Sequence, residues 1–179
     1  MSSVSNRVHI EADGIALDAV FELQGEALQV RYRLRNAGDD AVAVFDRGDR
    51  RAVLTKRQAA GAVGVPFLRD EAVGRVTLLH VAQALPTPSP TVPPTPLARR
   101  LDADAEIEGA FAFSQWLGAP PAQVRWCLGV APFDPARLFA PETVDGIEVW
   151  QADFAFADVQ VLICTPWFDM ARRVFAPGQ

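Results

Sequence analysis

The chain has 179 residues, half of them hydrophobic and 22% charged, with a formal net charge of -5. This composition excludes a disordered chain and is enough for one buried core. Its acidity argues against a nucleic-acid partner, because neutralising phosphates needs a concentrated basic face. No apolar run approaches the roughly 18 residues of a membrane span, so no membrane partner is expected.

The opening, Met1 to Ile10, reaches polar and charged residues before any uninterrupted apolar run. It lacks the hydrophobic segment of a secretory leader, and a cytoplasmic location is expected. Ile15, Leu17, Ala19, Phe21 and Leu23 then alternate with polar positions, and Leu28, Val30, Tyr32 and Leu34 alternate with Gln29, Arg31, Arg33 and Arg35. Period two over such lengths predicts two half-buried strands joined at Gln24-Gly25-Glu26. Ala37-Gly38-Asp39-Asp40 reads as a turn, and Val42 to Phe45 as a third, returning antiparallel strand.

Ala62 to Leu68, Val73 to Ala82, Ala105 to Phe113, Val124 to Val130, Ile147 to Trp150 and Asp158 to Cys164 are further strand candidates, each bounded by Gly, Pro or Asp. Between them lies Leu85-Pro-Thr-Pro-Ser-Pro-Thr-Val-Pro-Pro-Thr-Pro96. Its prolines remove ladder donors, so residues 85–97 are expected to form an extended loop inside one domain covering 1–179. Asp134-Pro135 fits a helix start, with about one turn over Ala136 to Ala140. Trp167, Met170, Ala171, Val174 and Phe175 recur at helical spacing and predict a short terminal helix before Pro177-Gly178. The fold expected is all-β, an antiparallel immunoglobulin-like β-sandwich with one or two short helical turns.

The run Leu28-Gln-Val-Arg-Tyr-Arg-Leu-Arg-Asn-Ala-Gly-Asp-Asp-Ala-Val-Ala-Val-Phe45 resembles the strand, turn and strand of bacterial immunoglobulin-like domains. Among these it is similar to the intracellular proteinase inhibitor family, which Leu101 to Phe113 also resembles loosely. The resemblance covers about a quarter of the chain. It implies the sandwich fold and, by analogy, inhibitor activity.

No nucleophile elbow, phosphate-binding loop or dinucleotide fingerprint occurs, and no catalytic residue, metal site or cofactor is assigned. His80 shares parity with Val76 and Leu78 and is expected in the core, whereas His9 is expected to be exposed. Cys127 and Cys164 are expected to be free thiols. Asp102, Asp104, Glu106 and Glu108 read as a solvated strand face. Trp126 belongs to the core by parity, and Trp150 is expected to be the most exposed tryptophan.

The expected function is a non-enzymatic protein-binding or interaction module. The candidate contacts are Pro88, Pro90, Val92, Pro93 and Pro94 of the loop and the stripe Arg31, Arg33 and Arg35. Two alternatives are an enzyme of unrecognised type using Asp46 and Asp49, and a structural subunit pairing through a sheet edge. A partner protein is expected; nothing indicates a homo-oligomer.

Overall fold

The computed structural model describes residues 4–177. In chain order its elements are β1 (Arg7–Ala12), β2 (Ile15–Gln24), β3 (Ala27–Asn36), β4 (Val42–Val44), α1 (Arg50–Leu54), β5 (Phe67–Ala72) and β6 (Arg75–His80). There follow β7 (Leu97–Leu101), β8 (Glu106–Phe113), β9 (Gln123–Pro132), β10 (Leu138–Val144), β11 (Ile147–Ala152), α2 (Phe156–Val159), β12 (Val161–Cys164), β13 (Phe168–Asp169) and β14 (Val174–Phe175). The fold is all-β and sandwich-like, with two short helices.

The smaller sheet has the order β1-β2-β3-β8. Its register follows from the alternation in β2 and β3: Leu17 faces Leu34 and Phe21 faces Val30, so the apolar sets of both strands fall on one side. The larger sheet runs β10-β11-β7-β4-β9-β13-β14, with β12 and β6 also on β9 and β5 on β6. Its strands are antiparallel except β6 and β9, which run parallel, a departure from the all-antiparallel expectation. Leu17, Phe21, Val30 and Leu34 meet Val44, Leu78, Trp126, Leu128 and Phe168 of the larger sheet in one core. Burying a Leu or Phe fully contributes about 1.5–3 kcal/mol. A second cluster, Ala43, Phe45, Ala98, Ala131, Leu138 and Phe156, covers the far face of the larger sheet.

Several expectations are corrected. Val42–Val44 does not return beside β3; it pairs with β7 and β9 in the other sheet. The cause is Asn36, whose buried amide accepts from Gly38 N and donates to the carbonyls of Asp40 and Leu101. This side chain turns the chain out of one sheet and ties it to the other, leaving β3 to pair with β8. Ala62 to Pro66 is loop rather than strand, and Val73-Gly74 is the turn of the β5–β6 hairpin, with Gly74 at φ +76. The turn after Asp134 exists, with Ala136 N donating to the Asp134 carboxylate, but Leu138 to Ala140 is strand. The terminal segment is the β13–β14 hairpin rather than a helix, because Phe168 and Phe175 both pack on Phe21. Gly178 lies outside the described residues.

The proline-rich connection joins β6 to β7 without helix or strand, but it ends at Pro96, since Leu97 opens β7. Cys127 and Cys164 are not free. They face each other across β9 and β12 and form a disulfide. Among the described residues no helix is long and apolar enough to cross a membrane.

Candidate functional site

Two polar constellations stand out, one inside the molecule and one on the open face of the smaller sheet. The inner one starts at Tyr32, whose ring lies across Gly109 of β8; a Cβ at Gly109 would overlap the phenol ring. Glycine is therefore required opposite Tyr32. The Tyr32 hydroxyl donates to Asp46 Oδ2 at 2.6 Å, and burial, reinforced by the Asp46 charge, pushes the phenol pKa well above its ordinary value. Asp46 is fully buried beside Arg47, with Arg47 Nε 3.1 Å from Asp46 Oδ1. That contact is ionic rather than an aligned hydrogen bond. Arg47 Nη1 donates to the Gly61 carbonyl and Gln58 Nε2 to the Arg47 carbonyl.

The network continues through Gly64, whose amide donates to the Asp46 carbonyl. The Gly64 carbonyl accepts from His80 Nε2 at 2.6 Å, and Trp126 Nε1 donates to His80 Nδ1 at 2.8 Å. These two bonds fix the tautomer, with the proton on Nε2. Burial holds the His80 pKa below its usual value, and His80 is a core residue as its parity indicated. A side chain at Gly64 would collide with the backbone of Gly48, so this crossing of two loops also needs glycine. The arrangement joins both sheets and two loops through buried polar contacts, in which Asp46 Oδ1 and Arg47 Nε are held by charge attraction alone. It holds Asp46 in place as an acceptor, and Asp49 likewise serves as N-cap of α1, accepting from Ala52 N.

The outer constellation is the solvent face of β1-β2-β3-β8. Register puts Arg7, Val20, Arg31 and Ala110 in one row and His9, Asp18, Arg33 and Glu108 in the next. An open, shallow trough of about 970 Å³ lies over this face. Arg31 bonds Glu22, and Arg33 bonds Glu108 at 2.8 Å with Glu106 at 3.5 Å. The arginines thus form a cross-strand charge ladder with the acids of β8 and β2. Arg35 emerges from the same face opposite Glu106. His9, exposed as expected, sits between Asp18 at 2.7 Å and Glu11 at 3.0 Å, and its pKa is raised by those hydrogen bonds.

Of the loop candidates, Pro88 and Val92 are exposed, and Pro90, Pro93 and Pro94 are half-buried. Thr95 and Pro96 are buried and anchor the loop, their carbonyls accepting from Arg50 N and Ala152 N. Among the described residues no hydrogen bond or ion pair links the loop to the arginine face. The acidic run divides: Asp102 and Asp104 flank a turn, Asp104 having φ +59, while Glu106 and Glu108 join the ladder. The tryptophans are dispersed. Trp126 is core, Trp150 is half-buried against Phe133, Trp116 meets Phe113 edge-on, and the guanidinium groups of Arg75 and Arg125 both contact the Trp167 ring.

Sequence reading missed the inner network, although Gly109 within a strand and His80 at core parity were its two local signals. Fold and site together define a two-sheet β-sandwich with a sealed polar tie and one open charged face. No protein-family model, curated protein or solved structure matches the chain.

Proposed function

We propose that the protein is a non-enzymatic binding module whose contact surface for a partner protein is the outer face of β1-β2-β3-β8. The observation that carries this reading is the trough over that face, which offers Val20 between Arg7 and Arg31 and Ala110 on the far side of Arg31. An apolar floor with charged, orientable walls suits a segment bearing both an aliphatic side chain and a carboxylate. The polar chemistry inside the molecule supports the same reading, since Asp46 and Asp49 are committed to structural hydrogen bonds. A second contact, the exposed Pro88 and Val92 with the neighbouring Pro90, Pro93 and Pro94, belongs to the proposal because a preformed extended segment loses little entropy on docking.

A cytoplasmic location is part of the proposal. The Cys127–Cys164 bond is the chemistry of an oxidising compartment and weighs against it, and cell fractionation decides between them. The binding reading is tested with three purified baits: the wild type, Arg7→Glu with Arg31→Glu, and a chain lacking Thr87 to Val92. A specific partner held by the wild type and the loop deletion, but lost by the charge-reversed face, is the expected result. Loss with the loop deletion alone would move the site to the prolines. Equal capture by all three would overturn both contacts.

A further inference from the structure

From the edges of the two sheets we infer that two copies of the chain join through the free side of β8, making one continuous eight-stranded sheet from two four-stranded ones. This is separate from the binding reading above, and its readout is association state rather than capture.

Among the described residues β8 pairs with β3 alone. The phase of its hydrogen bonds can be derived. Ala37 N donates to Gly14 O, and Asn36 N donates to Ala105 O. Amides of an antiparallel strand alternate sides, so the odd residues of β3 bond β2 and the even ones bond β8. In the β8 register Leu34, Tyr32 and Val30 face Ile107, Gly109 and Phe111. The amides and carbonyls of Glu106, Glu108, Ala110 and Ala112 therefore point to the empty side, an eight-residue edge ready for pairing.

Other edges are blunted by the devices that prevent such pairing. β1 carries Arg7, His9 and Glu11; β5 carries Arg69, Asp70 and Glu71 and a bulge; β10 carries Pro141 and a bulge between Phe139 and Glu142. β12 has four residues and β14 two. The half of β8 from Gly109 to Phe113 has no charge, no proline and no bulge, and its Phe111 ring is only half-buried.

What covers this edge is indicated by the strand itself, which is acidic at one end and neutral at the other. An antiparallel two-fold pairing centred on Ala110 sets Glu108 of one copy opposite Ala112 of the other, and Glu106 opposite Ser114. It also lays Phe111 beside Gly109 of the second copy. A register that opposed Glu108 to itself would be disfavoured by like-charge repulsion. The contact is isologous, with the same residues contributed twice, and it closes at two copies.

The test is sedimentation of the full chain over a concentration series. A reversible dimer is expected. Ala110→Pro deletes a donor that faces the empty side, not β3, so it should give a folded monomer. Ala110→Lys, which opposes two ammonium groups, should do the same and guards against misfolding of the proline variant. Ala112→Lys would meet Glu108 of the other copy twice, and should tighten the dimer roughly 2- to 30-fold. A wild type that stays monomeric at millimolar concentration overturns the inference, and so does a dimer indifferent to both Ala110 variants.

Discussion

At the scale of single residues, the Tyr32 hydroxyl is the only hydrogen-bond donor from the smaller sheet to the buried Asp46 carboxylate in the described structure. Tyr32→Phe keeps the ring over Gly109 and removes only that donor. It should cost about 1–3 kcal/mol in a urea titration, because one lone pair of a buried carboxylate is left unsatisfied. Asp46→Ala should cost more, about 3–5 kcal/mol, since it strands the buried Arg47 guanidinium. His80 sets a pH dependence. Its folded pKa lies below the ordinary 6.5, so the folded chain binds fewer protons there than the unfolded one. This contribution is present above about pH 6.5 and drains away as pH falls through the folded value. The exposed His9 has a raised pKa and works in the opposite direction, so a His9→Asn background isolates the effect. In that background the urea midpoint should fall as pH is lowered from about 7 to 5, and a His80→Gln variant should flatten the slope.

At the scale of elements, β3 separates its two faces cleanly. Leu34→Ala should cost about 2–5 kcal/mol, whereas Arg33→Ala, which breaks only exposed ion pairs, should leave the denaturation midpoint nearly unchanged. Equal shifts of the denaturation midpoint would contradict the assigned faces. Removing Thr87 to Val92 with a short linker should leave the melting temperature nearly unchanged, because the loop's anchors begin after that segment. The elements most readable from sequence were β2 and β3, because one buried face imposes a strict alternation. β7 was hidden behind Pro96, and the terminal hairpin imitated a helix because Trp167, Met170, Ala171, Val174 and Phe175 fall at helical spacing, while the pairing that decides the structure sets Phe168 beside Phe175 on Phe21. Val63 imitated a strand residue because it packs against the main core from a loop, between Gly61 and Gly64, whose carbonyls serve Arg47 and His80.

At the scale of the whole molecule, local periodicity states which face is buried but not which strand lies alongside. The exchange of β4 for β8 beside β3 depended on Asn36, one polar side chain at the end of β3 whose partners lie in the following turn and on β7 of the larger sheet. The arginine face was legible for the same reason as its strand, whereas the network from Tyr32 to His80 required contacts between distant segments. The Cys127–Cys164 bond closes a loop of 37 residues, and its reduction should lower stability by about 2–4 kcal/mol, measured as the shift in urea midpoint with and without reductant. The β3–β8 pairing has a further consequence in time. Arg33 and Glu108 stand 75 residues apart, so a ribosome adding about 5–20 residues per second leaves β3 without its neighbour for roughly 4–15 s. During that interval the nascent β1-β2-β3 meander can set Val44 and Leu78 against Leu28, Val30, Tyr32 and Leu34, but Trp126, Leu128 and Phe168, which complete that core, emerge later still.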